Sequence, residues 1–241
     1  MLARARGQKV TFSQKQLYSF LDDLFGDDIH AQRLLSVEHA MLGVLHAASL
    51  AVALIGRAMA QLRDKKAKHA IKQVDRLLDN TALPARHFFP SWVRFVVGPR
   101  QEIVVALDWT DFDKDGHSTL ALYLITSHGR ATPLMWKTFD QKQLKDKKGR
   151  YERELVMLLN DALDENVRVT ILADRGFGSD EFYDDLDFFG FDYIIRFRSN
   201  IYVTDPGGVT KKAKEWLPES GKATKIEKAQ VTEKKIGRAH V

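Results

Sequence analysis

Apolar residues in the first third of the chain recur at helical spacing. Leu17, Phe20, Leu21 and Leu24 share one face behind Ser13 and Gln16, which stand at the spacing of a capping box, and Gly26 ends the segment. A long helical stretch is expected from about Ala31 to Lys68, with an alanine-rich apolar run from Ala40 to Ile55 inside it. A membrane span needs about 20 mostly apolar residues. This run is shorter and is interrupted by Gly43, His46 and Ser49, so it reads as a buried core helix. Ile71, Val74, Leu77 and Leu78 add a further apolar strip opposite Lys72 and Arg76, and Pro84 and Pro90 close the helical region.

The pattern then changes period. Ile103 to Leu107 is a continuous apolar run rich in β-branched residues, and it stops at Asp108. Leu120 to Ile125 and Pro133 to Thr138 follow as strands, with turn signals at Asp115-Gly116 and His128-Gly129, which predicts an antiparallel meander. A helix carries Tyr151, Leu155, Leu158, Leu159 and Ala162 on one face. A strand from Val167 to Ala173 then ends at Asp174. Ser179 caps a short helix that opens with Asp180 and Glu181 and closes at Gly190, and a last strand runs from Tyr193 to Phe197.

Three strands, a helix, a strand, a helix and a strand make a mixed α/β order that packs helices against one sheet. It points to the arrangement of ribonuclease H, in which the strand before Asp174 lies parallel to, and beside, the strand that stops at Asp108. The expected organisation is a helical domain over residues 1–90, a ribonuclease H-like catalytic core over 91–200, and a β insertion or disordered segment over 201–235.

Composition narrows the chemistry. The chain has 241 residues, 44% of them hydrophobic and 29% charged, as expected of a globular protein with a real core. It has no cysteine, which excludes disulfides, thiolate metal sites and cysteine nucleophiles. Net charge is +5 and the pI about 9.3, and the basic residues are unevenly spread. Arg57, Arg63, Lys65, Lys66, Lys68, Lys72 and Arg76 face only Asp64 and Asp75 in their stretch. They either track phosphates or form a solvated helix face. The opening MLARARGQKVTF has no apolar run of a secretory signal, so a cytoplasmic protein with no membrane partner is expected.

Asp108 and Asp174 carry the sharpest chemical signal. Neighbouring strands lie about 4.8 Å apart, and two ionised carboxylates at that distance repel unless a cation lies between them. Magnesium suits such a pair because it is a hard ion that takes oxygen ligands and completes its shell with water and phosphate. The plain alternative is a pair of strand-end aspartates that cap loops. Arg175, Arg196 and Arg198 flank the pair at strand ends, and Arg196 and Arg198, which point to one face, either hold a phosphate backbone or pair with Asp184, Asp185 and Asp187. The stretch from Asp111 to Gly116 imitates the start of a calcium loop, but Leu122 stands where that loop needs an acid. No zinc spacing, nucleophile elbow or phosphate loop occurs.

VALDWTDFD around Asp108 and LADRGFGSDEFYDDLDFFGFDYIIRFRSN around Asp174 resemble the two aspartate blocks of DDE transposases of the insertion-sequence-four type. KHAIKQVDRLLDN, Lys68 to Asn80, is similar to the linker between the helical and catalytic domains in that family. The resemblance covers about Lys68 to Asn200. It implies a ribonuclease H-like core, two Mg2+ (or Mn2+) ions, double-stranded DNA (transposon ends and target) as partner, and a homodimer in the DNA complex, nucleoid-associated when bound. It also implies that Asp108 and Asp174 are metal ligands and catalytic residues. Lys65, Lys66, Lys68, Lys72, Arg76, Arg175, Arg196 and Arg198 are the expected DNA contacts.

One part of the family pattern is missing. Its third carboxylate is a glutamate in a Tyr–Arg–Glu–Lys signature; Tyr193 with Arg196 is a near match that fails at Asn200, and in the family the signature follows a β insertion, so the third ligand is expected to be absent from this sequence and not substituted. The terminal Ile236 to Val241 matches what a sequencing adapter encodes in one frame, so the natural sequence is expected to leave this one near Lys235, with the catalytic core incomplete. Two rival readings stand beside an inactive transposase fragment. One is a ribonuclease H-like nuclease that takes its third acid from Asp111 or Asp113, and the other is a non-catalytic DNA-binding remnant.

Overall fold

The capping box at Ser13 is formed: the Gln16 amide donates to Ser13 Oγ at 3.2 Å and the Ser13 amide donates to Gln16 Oε1 at 3.0 Å. It starts α1 (Gln14–Phe25), which buries Leu17 and Leu21. The computed structural model describes residues 13–127, 129–197, 199–220, 225–231 and 236–240. The chain divides into two units, Met1–Phe95 and Val96–Val241.

In the first unit the long helix expected from Ala31 to Lys68 is three shorter ones. They are α2 (Ala31–Ala47), α3 (Val52–Leu62) and the start of α4 (Ala67–Leu78). Ala48 adopts a left-handed conformation at φ 46° and ends α2, and the chain bends by 102° before α3 continues. A second break has Asp64 at φ 48°. Both breaks are tertiary in origin. They fold one apolar run back on itself, so Ile55, Met59, Ala60, Ala70 and Val74 bury against each other, as a straight helix could not allow. No single described helix is long and apolar enough to cross a membrane.

Two glycines make this folding-back possible. A Cβ on Gly43 would meet the Ile55 carbonyl oxygen at 2.8 Å, and one on Gly56 would meet the Ile71 Cα at 2.5 Å and its nitrogen at 2.7 Å. The helix backbones touch at both points. α5 (Phe89–Val97) runs across the boundary into the second unit, where a closing turn was expected at Pro90. Pro90 lies in the first turn of that helix, where its missing N–H costs nothing.

The second unit holds the predicted meander. It comprises β1 (Glu102–Phe112), β2 (His117–Leu124), β3 (Thr132–Asp140), α6 (Lys148–Ala162), β4 (Arg168–Ala173), α7 (Asp180–Phe188) and β5 (Asp192–Ile195). The sheet order is β3-β2-β1-β4-β5, with β1, β4 and β5 parallel and β2 and β3 antiparallel. This is the ribonuclease H-like order. Helix α6 packs on β2 and β3, and α7 on β5. Ile103, Val105, Leu107, Leu122, Leu124, Val169 and Ile171 are buried in this unit, each at most 4% exposed.

Beyond the core, β6 (Tyr202–Thr204), β7 (Thr210–Lys212), β8 (Lys225–Gln230) and β9 (Ile236–His240) form a second sheet in the order β7-β6-β8-β9. Val203, Ala213, Ile226 and Ala229 make its small core, and Trp216 donates its indole N–H to the Val203 carbonyl at 3.2 Å.

Glu38 is the anomaly of the helical unit. It is fully buried on α2, and neither carboxylate oxygen makes a well-formed hydrogen bond. Loss of solvent pushes its pKa above the ordinary 4.5, with the Gln14 side chain and the Arg63 charge pulling partly back. A group raised in the folded state destabilises it once pH exceeds its unfolded value. Glu38→Gln is therefore expected to raise stability by roughly 1–3 kcal/mol near neutral pH, shrinking toward zero as pH falls through the carboxylate range, measured by urea unfolding across pH. Gly56→Ala should lower stability by about 1–3 kcal/mol in the same assay, because the new methyl meets backbone and not a yielding side chain.

Candidate active site

The parallel ladder between β1 and β4 runs from Glu102 opposite Arg168 to Leu107 opposite Ala173. Asp108 and Asp174 come next on the two strands. The ladder between β4 and β5 ends at Ala173 opposite Ile195, so Arg196 follows beside Asp174. One sheet edge thus carries an acid, an acid and a base on three neighbouring strands. Arg196 Nη1 lies 3.7 Å from Asp174 Oδ1, and the Arg196 amide donates to the Ala173 carbonyl at 3.1 Å.

Strand alternation explains the direction of these side chains. Leu107 is buried, so Asp108 projects to the opposite face of the sheet, with Val104 37% exposed on that same side. Ile194, two residues before Arg196, is 66% exposed. Asp174 has an extended backbone, and its carboxylate accepts the Arg175 amide at 2.7 Å, capping a short 3-10 turn from Arg175 to Phe177. The loop-capping role therefore holds for one oxygen of Asp174.

Asp108 does not close its strand, contrary to expectation. β1 continues to Phe112 because β2 keeps pairing with it, from Asp108 opposite Ala121 to Phe112 opposite His117. Trp109, Thr110 and Phe112 are good strand formers, so the first acid interrupts the apolar run without ending the extended backbone. Beyond Leu107, however, β1 has lost its parallel neighbour, and Asp108 begins an overhang paired on one side only.

No third acid joins the pair: among the described residues no group of three acidic or histidine side chains could hold a metal. Asp111 alternates to the other face, where it accepts the Ser118 hydroxyl at 2.6 Å. Asp113 accepts from the Gln141 side-chain amide at 3.1 Å. Both candidate third acids of the nuclease reading are thus engaged elsewhere.

The expected cations fall in separate places. Arg175 is exposed on the turn behind Asp174, and Arg198 lies outside the described residues. Arg196 turns to Asp174, while Asp185 is taken by Arg153 at 2.6 Å. Lys65 and Lys66 sit in the turn between α3 and α4. Lys68, Lys72 and Arg76 recur every fourth residue on one exposed side of α4. The α3–α4 corner also forms a cleft of about 460 Å³ whose lining includes Arg63, Lys65, Lys66, His69 and Arg76, with Asp64 the one acid there.

Glu152 escaped the sequence reading. It is 6% exposed on α6 and accepts the Trp109 indole N–H at 2.7 Å. Burial raises its pKa, with the indole bond and the Lys148 charge opposing. The signal was its register: position 152 shares a helix face with Leu155 and Leu159, where a charged residue is out of place.

None of the curated proteins matches this chain. The transposase DDE domain does match, over residues 99–240, a span that begins just before β1 and takes in both aspartates. The chain belongs to the transposase DDE domain family.

Proposed function

We propose that this protein supplies the DNA-binding helices and two of the three metal-binding carboxylates of a cut-and-paste transposase of the insertion-sequence-four type. The observation that carries the reading is the placement of Asp108 and Asp174 directly after the last parallel rung of β1 and β4. Two carboxylates about one strand spacing apart are an all-oxygen donor set that fits Mg2+ or Mn2+. When bound, the metal ions would stabilise charge on the scissile phosphate and favour a hydroxyl nucleophile.

The chain's own residues prepare the site. Asp108 and Asp174 hold the negative charge that would recruit the cation, and Arg196 partly balances Asp174. Arg175 and Arg196 then lie where phosphates of transposon-end or target DNA would run past the edge. In the helical unit, the row Lys68, Lys72 and Arg76 and the cationic α3–α4 corner supply sequence-independent phosphate contacts. A homodimer on DNA would set two such edges on the paired ends.

A second reading is favoured by one observation, the absence of a third acid beside the pair among the described residues. For this chain by itself it predicts DNA binding without cleavage.

Mn2+ titration followed by electron paramagnetic resonance is expected to show binding to the 241-residue chain. Asp108→Asn or Asp174→Asn should eliminate it while leaving DNA affinity unchanged; metal binding that survives both changes excludes the site. Reversing Lys65 and Lys66 to glutamate should weaken duplex binding for every sequence. It should also flatten the dependence of log affinity on log salt by about one unit for each phosphate no longer neutralised. A slope equal to wild type would place the DNA elsewhere.

A further inference from the structure

Asp108 sits at the start of an overhang. From Asp108 to Phe112, β1 is paired to β2 alone, because the ladder with β4 stops at Leu107. A strand held along one side is free to twist, and twist moves the carboxylate relative to Asp174. Something other than backbone pairing has to fix the overhang for the two acids to keep one geometry.

The next residue provides that anchor. The Trp109 side chain points away from Asp108, toward α6, and its indole N–H donates to Glu152 Oε1 at 2.7 Å. Lys148 stands over the indole at 4.7 Å from the ring centre. The Trp109 ring lies 5.8 Å from Phe139 on β3, which in turn lies 4.1 Å from Tyr151 on α6. The indole is thus held by a directional bond, a cation over its face and a neighbouring ring. All of these contacts lie on the side of β1 opposite the metal-binding carboxylates.

A carboxylate is an expensive way to fill this position. Packing alone would be served as well or better by an apolar side chain of similar volume, because Glu152 is desolvated and 6% exposed. What the carboxylate adds is direction: one hydrogen bond that specifies the rotation of the indole and, through the shared backbone, the face and angle of Asp108. We propose that Glu152 is a positioning residue for Asp108, acting through Trp109 to fix the end of β1 that β2 alone pairs. This rests on the reading of Asp108 as a metal ligand.

The test compares the full chain with two variants, the double change Trp109→Phe with Glu152→Leu and the single change Glu152→Met. The double change replaces both hydrogen-bonding partners by apolar groups, which tends to preserve stability. Three quantities are read: thermal unfolding, Mn2+ affinity by electron paramagnetic resonance, and the Trp109 indole N–H resonance. Folded variants are expected to bind Mn2+ about 10-fold more weakly, and Glu152→Met to shift the indole resonance. Glu152→Gln, which keeps an acceptor oxygen, should restore affinity close to wild type.

A folded variant that binds Mn2+ as tightly as wild type overturns the positioning role and leaves the metal site standing. If neither variant folds, the pair serves the fold and not the carboxylate, and the proposal falls. If the unaltered chain shows no Mn2+ binding that depends on Asp108, the metal reading and this inference fail together.

Discussion

The register between β1 and β4 is the constraint on which the site depends. Ile103, Val105 and Leu107 alternate into the core and pair with Val169, Ile171 and Ala173, so the apolar set of each strand determines where the other lies. A slip of one residue would turn every buried side chain of the strand to the open face and bring Asp108 into the core. Burying an ionised carboxylate among leucines costs several kcal/mol, on top of the lost apolar burial of about 1.5–3 kcal/mol per large side chain. Hydrophobic packing thus holds two like charges together at the sheet edge, where their own repulsion would separate them.

That edge is then tuned from both sides. Arg196 follows the last rung of β5 and lies by Asp174, so this edge carries less net negative charge than two acids alone would give. On the other side, the overhang of β1 is tied to α6 through Trp109 and Glu152. The helical unit solves a different problem with the same economy. Gly43 and Gly56 let α2, α3 and α4 approach to backbone contact, and the corner between α3 and α4 gathers Arg63, Lys65, Lys66 and Arg76 around one cleft.

Much of this was legible in the sequence because it rests on local rules. The capping box at Ser13, the meander with its Asp115-Gly116 turn, and the placement of Asp108 and Asp174 on neighbouring parallel strands all follow from periodicity, turn chemistry and element order. What was not legible depends on the tertiary fold. The run from Ala31 to Lys68 has helical propensity throughout, and nothing local in it says that Ala48 must turn left-handed so that α3 can fold back. β1 outlasted its apolar run because β2 went on pairing with it. Glu152 falls on the apolar face of α6 with Leu155 and Leu159, but nothing local pairs it with an indole 43 residues earlier in the chain. The third acid is a different matter: the near match at Tyr193 and Arg196 lacks a glutamate at position 200, and among the described residues no three acidic or histidine side chains group to hold a metal.

The central claim is that Asp108 and Asp174 hold a divalent cation between them. A crystal of the chain soaked in Mn2+ and measured at the manganese absorption edge tests it most directly. The expected result is an anomalous peak with carboxylate oxygens of both Asp108 and Asp174 as ligands. Manganese bound elsewhere, with the two carboxylates left to Arg175, Arg196 and solvent, would contradict it.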